Sequence, residues 1–299
     1  MADAPAPTPE DLVQWLLRLL DVKPGDAPGR FVGRRKRGGV GRVFGGQVIA
    51  QALAAAERTV ADDREAHSLH AYFLRSGSED LEIEFAVSED LDGGSFSNRR
   101  VVASQRGKPI LNLAASFHRR EPGVHHQDAI PEVPAPEALP SERELRAQYA
   151  TQVSDPLRRA QMLTPRPIEL RPVEKRHWMG GEPGEPRSHT WFRAVAPLPD
   201  DRKLHRAVLA FASDMTLLGT CALPHGLSWT QGNAMSVSLD HAVWFHEDFR
   251  ADEWLLYATD SPWAGNARGM NRGRIFSRDG RLVASVAQEG LIRRIEPRT

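Results

Sequence analysis

The chain has 299 residues, of which 40% are hydrophobic and 26% charged, and its 39 basic and 39 acidic side chains give a formal net charge of +0. That balance argues against a general nucleic-acid binder, and a single cysteine, Cys221, excludes an intramolecular disulfide and a cysteine-rich zinc site. No apolar run reads as a membrane span. Met1-Ala2-Asp3-Ala4-Pro5 lacks the pattern of a signal peptide and Glu296-Pro297-Arg298-Thr299 is no Ser-Lys-Leu ending, so the cytoplasm is the expected compartment.

Thr8-Pro9-Glu10-Asp11 starts a helix: a capping threonine, proline at the first helical position and acids in the first turn. Leu12, Trp15, Leu16, Leu19 and Leu20 follow at helical spacing, and Pro24-Gly25 ends the segment. Gln47 to Thr59 is rich in alanine and apolar over most of its surface, which predicts a buried helix, and Gly45-Gly46 before it lets another backbone come close. Ser68 to Arg119 switches to strand alternation, with Leu81, Ile83, Phe85 and Val87 on one face and a hairpin at Gln105-Arg106-Gly107-Lys108. Prolines 131, 134, 136 and 140 break the pattern between Pro122 and about Pro167, where Ser141-Glu142-Arg143-Glu144 opens a short helix. Strands are expected at Ile168 to Val173 and Thr190 to Val195. A helix should start near Ser213, with Asp214 in its first turn, and strands then run from Ser236 to Ile292.

These segments repeat. Phe44 and Phe211 each precede a helical run at an offset of 167; Ser68 and Ser238 lie 170 apart; Asn98-Arg99 and Asn271-Arg272, like Gly107 and Gly280, lie 173 apart. Two copies of one helix-plus-antiparallel-sheet unit account for these offsets. The copies differ where chemistry would sit: Asp214, Ser238 and Gln288 in the second face Gln47, Ser68 and Ala115 in the first. Gln288 stands out, because a buried amide without partners costs on the order of 1–3 kcal/mol and the first copy does without one. A carboxylate, a hydroxyl and an amide can hold one water, and the carboxylate can take its proton, which suits hydrolysis of an activated acyl group. Backbone N–H groups at the Gly45-Gly46 helix start would stabilise the oxyanion.

The motifs Val43-Phe44-Gly45-Gly46-Gln47, Tyr72-Phe73-Leu74-Arg75, Asn98-Arg99-Arg100-Val101, Ala114-Ala115-Ser116-Phe117, Arg171-Pro172-Val173-Glu174, Ala212-Ser213-Asp214, Asp240 to His246 and Val286-Ala287-Gln288-Glu289-Gly290 occur in that order. Over nearly the whole chain this resembles the acyl-CoA thioesterase II (TesB-type) family. The resemblance implies an α+β double hotdog fold, two tandem units in each of which an antiparallel sheet wraps a central helix. The expected organisation is an N-terminal unit with its leading helix over 1–120, a proline-rich linker over 121–165 and a C-terminal unit carrying the catalytic residues over 166–299. It also implies a catalytic set of Asp214, Ser238 and Gln288 that binds and activates the attacking water. Substrate contacts are expected at Gly45, Gly46 and Arg42. The expected enzyme needs no cofactor or metal, takes acyl-CoA rather than nucleic acid or membrane as its partner, and assembles as a dimer or tetramer of chains.

Gly33 to Arg42 departs from that pattern by being strongly basic and glycine-rich. It lacks the closing Gly-Lys-Ser or Gly-Lys-Thr of a phosphate loop, and guidance of coenzyme A phosphates competes with a plain solvated loop. His241 and His246 lie on opposite faces of a strand and do not share a metal, and Cys221 reads as a small buried residue. Two rivals stand beside a thioesterase: a hotdog enoyl-CoA hydratase or dehydratase, which would need an Asp with a His, and an acyl-CoA sensor without catalysis.

Overall fold

The computed structural model describes residues 6–36, 39, 41–153, 155–176, 179, 182–228 and 232–295, the side chain of Arg158 excepted. Three members of the basic stretch, Arg37, Gly38 and Val40, lie outside the described residues, as do the first five and last four residues.

The leading helix α1 (Pro9–Leu20) begins with the expected cap: the Thr8 hydroxyl accepts from the Asp11 N–H while the Asp11 carboxylate accepts from the Thr8 N–H. Its apolar stripe buries Val13, Leu16, Leu19 and Leu20. Two short strands, β1 (Val22–Pro24) and β2 (Arg30–Gly33), lead to helix α2 (Gly45–Glu57), and strands β3 (Glu65–Phe73), β4 (Ile83–Asp92), β5 (Phe96–Gln105) and β6 (Lys108–His118) follow. Buried residues occupy almost every position of α2, so its small alanines let strands close over it on more than one side.

The described residues of the linker form a short 3-10 turn (Pro136–Ala138) and two α-helices, α3 (Glu142–Ala150) and α4 (Pro156–Leu163); of the α-helices only the first is legible, from its Ser141–Glu144 capping box. Before α3 the linker crosses the outer face of the second half of the sheet. There Trp191 donates its indole N–H to the Pro134 carbonyl, and Ile130, Val133 and Leu139 pack on a cluster of Trp191, Trp254, Leu256 and Phe276.

The second half runs β7 (Ile168–Pro172), β8 (Arg187–Ala194), α5 (Arg202–Ser213), a 3-10 helix (Leu217–His225), β9 (Ala234–Ser238), β10 (Asp240–Phe245), β11 (Leu255–Gly265), β12 (Arg268–Ser277) and β13 (Leu282–Arg294). The described strands form one antiparallel sheet in the order β1-β2-β4-β5-β6-β3-β10-β13-β12-β11-β8-β7, with β9 alongside β13. Read from its centre outward, the second half mirrors the first, with β3 and β10 paired at the seam. This is the double hotdog expected. Helix α2 packs on the strands of its own half, the 3-10 helix packs on β11 to β13, and α2 and α5 pack on each other. Phe44 and Phe211, the two anchors of the repeat, meet edge to face at that contact with ring centroids 5.1 Å apart.

Several expectations need correction. Helix α5 starts at Arg202, where the Asp201 side chain caps the N–H groups of Lys203 and Leu204, and it ends at Ser213. Asp214 is therefore its C-cap and not a first-turn acid. With the following 3-10 helix this run, Arg202–His225, is long and apolar enough to cross a membrane by composition alone, against the reading above; 67% of its most apolar stretch is buried as core.

Strand register also revises two of the anchors. Asn98 is only half buried while Arg99 is fully buried; in β12 it is Asn271 that is buried and Arg272 that is exposed. Asn271 thus matches Arg99, one residue off the sequence anchor, and the difference is taken up in the longer second hairpin. Ser68 is not the counterpart of Ser238. Ser238 lies opposite Gly290 as Ala66 lies opposite Phe117, so Ala66 holds the equivalent place. In a strand a one-residue slip, as at Asn98, moves a side chain to the other face, and strand register detects it where a sequence anchor does not.

Candidate active site

Asp214, Ser238 and Gln288 come from the end of α5, the end of β9 and the middle of β13, and the fold brings them together. The Gln288 amide nitrogen donates to Asp214 Oδ1 at 2.7 Å and lies 3.1 Å from Ser238 Oγ. Gln288 is fully buried. Asp214, with its side chain 5% exposed, and half-buried Ser238 border a cavity of about 500 Å³, which Gly45, Phe73 and Leu218 also line. A larger cavity of about 1060 Å³ adjoins it; Arg42, Phe44, Met215 and Thr216 border both.

The first half contributes to this site. Helix α2 has Phe44 at its N-cap and no side-chain cap, and the Gly46 N–H instead donates to the Asp214 carboxylate from the other half. Both glycines are required by this approach. A Cβ on Gly45 would sit 2.7 Å from Asp214 Oδ2, and one on Gly46 would sit 2.4 Å from the Phe211 carbonyl oxygen.

Burial raises the Asp214 pKa to about 6, and the hydrogen bonds from Gln288 and Gly46 oppose the rise by favouring the ionised form. A carboxyl at a helix C-terminus lacks the dipole support it would have in a first turn, while the α2 N-terminus facing it restores some. Asp214 is therefore a base poised just below neutrality.

His241 belongs to this cluster, although the sequence reading gave it no role. It is fully buried, with Nδ1 3.1 Å from the Gln288 amide nitrogen and Nε2 2.8 Å from Ser213 Oγ. Burial pushes its pKa down to about 3, so the imidazole is neutral and its 3.9 Å approach to Asp214 is no ion pair. The signal was present in the sequence: alternation places His241 on the same face as Val243 and Phe245, a polar ring in an apolar row. His246 points the other way, to Ser285. Tyr257, also fully buried, donates its hydroxyl to the Ser213 carbonyl and so fixes the end of α5 beside Asp214.

Two cations of the basic stretch are paired. Arg35 lies 3.7 Å from Asp80 and Lys36 lies 3.3 Å from Glu79. Arg42 is exposed at the junction of the two cavities. Cys221 is buried in the 3-10 helix, with its N–H donating to the Asn271 side chain.

Comparison with known proteins places the chain in a family. A family model described as acyl-CoA thioesterase matches residues 158–291, and one described as acyl-CoA thioesterase N-terminal domain matches residues 34–118. Human acyl-coenzyme A thioesterase 8 is 41% identical over 95% of this chain and 91% of its own length. Acyl-CoA thioesterase 2 of Haemophilus influenzae is 35% identical over 95% of this chain and 98% of its own. The crystal structure of acyl-CoA thioesterase II TesB2 from Mycobacterium marinum has a TM-score of 0.76 at 38% identity, covering 94% of this chain and 98% of that one. Similarity that spans both halves of the sheet and the seam between them shows that this chain is a member of the acyl-CoA thioesterase family.

Proposed function

We propose that the protein hydrolyses acyl-CoA to a free carboxylic acid and coenzyme A by direct attack of water, without a cofactor. The observation that carries this reading is a carboxylate poised near pH 6 and a hydroxyl that border one cavity and are both tied to one buried amide. Asp214 takes a proton from water as the oxygen attacks the thioester carbon. Ser238 holds that water, and Gln288 fixes Asp214 and Ser238 from behind. The carbon–sulfur bond then breaks, and the proton held on Asp214 passes to the departing sulfur. The first turn of α2 at Gly45 supplies the dipole and donor for the oxyanion, and Arg42 meets the charged arm of the substrate. Expected rate loss without the general base is about 10²–10⁴-fold.

The hydratase reading needs a histidine that can exchange protons with substrate. His241 is 0% exposed and both its nitrogens are engaged by protein groups, so it cannot fill that role. We also propose the domain limits given by the sequence, a cytoplasmic setting, and assembly into a dimer or tetramer, to be read by light scattering. Thiol release measured over a series of acyl-CoA chain lengths tests the reaction. Release of free thiol supports it; hydration of an enoyl-CoA without thiol release, or binding with neither, refutes it.

A further inference from the structure

His241 stands beside the proposed machinery without taking part in its proton transfers. Its hydrogen-bond partners fix its chemical state. A serine hydroxyl has one hydrogen, and Ser213 gives its own to the Ala210 carbonyl at 3.0 Å. Toward His241 Nε2, at 2.8 Å, Ser213 therefore offers only a lone pair, so Nε2 carries the ring hydrogen. In a neutral ring Nδ1 is then a bare acceptor, and the group facing it is the Gln288 amide nitrogen at 3.1 Å.

We infer that His241 is a positioning residue that fixes the direction of the Gln288 amide, through a chain of hydrogen bonds running Gln288 to His241 to Ser213 to the Ala210 carbonyl. This rests on Asp214, Ser238 and Gln288 being the water-activating set. If the amide were turned over, its oxygen would face both Asp214 Oδ1 and the bare Nδ1, acceptor against acceptor. Asp214 cannot enforce the direction alone. When it holds the proton taken from water, its carboxylic acid can donate to the amide oxygen and welcomes the turned form. His241 has no hydrogen to offer at Nδ1 in either state, so it holds the amide through the step at which Asp214 lets go. The amide's two hydrogens are shared among Asp214, His241 and the Ser238 oxygen at 3.1 Å, which leaves the hydrogen of the Ser238 hydroxyl for water.

The first half provides an internal control. Leu69 lies opposite Ala115 in β3–β6, and continuing the Ala242–Ala287 pairing by one residue puts His241 opposite Gln288. Leu69 is as completely buried as His241, so the fold accepts an apolar side chain at this place.

Nitrogen NMR of the wild-type protein labelled at histidine tests the chain without turnover. From about pH 5 to pH 8 His241 should stay neutral with its hydrogen on Nε2; a hydrogen on Nδ1, or a charged ring, overturns the inference. In kinetics, His241→Leu should lower kcat about tenfold or more and leave KM within about twofold, and His241→Asn, whose side-chain oxygen can occupy the Nδ1 place, should recover most of the loss. A folded His241→Leu protein with wild-type kcat contradicts the inference, as does failure of Asn to rescue. If the Leu variant does not fold, the NMR and the Asn variant still decide. Asp214→Asn run alongside separates the two levels: full activity there removes the catalytic reading, whereas the ring tautomer is measured independently of it.

Discussion

The two halves of the sheet share a fold and differ at a handful of inward positions. Where the first half has Ala66, Leu69 and Ala115, the second has Ser238, His241 and Gln288. Each half also buries a carboxyl, and the two are treated differently. Glu57, at the end of α2, is raised by burial to about 8, against the pull of Arg206, and its Oε1 has no partner among the described residues. Asp214 is raised only to about 6, because the Gln288 amide and the Gly46 N–H both donate to it. Polar groups in a core cost free energy unless they satisfy one another. The second half joins Asp214, Ser238, His241 and Gln288 in one network, in which Gln288 Oε1 has no partner among the described residues, while the first fills the same space with apolar side chains. The first half is nevertheless part of the site, since it lends Asp214 the start of α2.

Substitutions that make the halves alike should break the site without breaking the fold. Gln288→Ala, which installs the residue of Ala115, should leave the protein folded and reduce kcat about a hundredfold, as judged by thiol release beside circular dichroism. An unchanged kcat would mean that the amide network does not organise catalysis.

The carboxyls give the next contrast. Because the Glu57 pKa is higher in the folded than in the unfolded protein, its contribution favours folding below about pH 4.5 and fades as pH rises through about 8. Glu57→Gln should therefore raise the unfolding midpoint at pH 8, by stabilisation on the order of 2 kcal/mol, and flatten its dependence on pH. A variant with the wild-type slope would show that Glu57 is not the source.

Asp214 predicts a smaller but sharper signature. It must be ionised to accept a proton, so kcat/KM should fall about tenfold per pH unit below its pKa of about 6. His241, already neutral there, should add no second inflection above pH 5. A limb that tracks a histidine near its ordinary value would contradict this.

Much of this was legible in the chain itself. Alternation from Leu81 to Val87 and the alanine-rich run after Gly46 mark strand and buried helix because burial on one face or on all faces leaves a period. Gln288 stood out because the other copy has Ala115 in its place, and the family resemblance implied the set of Asp214, Ser238 and Gln288. Local pattern failed where tertiary contact decides. Asp214 looked like a first-turn acid because the repeat was aligned on Phe211, while the true start of α5 lies at the Asp201 cap. Ser68 and Asn98 were misaligned by residues that only the strand register can place. His241 was set aside as one of two histidines failing to share a metal, although its place in an apolar row already marked it. Its ties to Ser213 and Gln288 join residues 28 and 47 positions away, beyond any local pattern.

Thiol release by Asp214→Asn tests the account most directly, because asparagine keeps the size of the side chain and removes only its capacity to take a proton. With acyl-CoA at saturation, above the acid limb, and with the fold verified, the account predicts a fall in kcat of about 10²–10⁴-fold. A rate within a few-fold of wild type would contradict it.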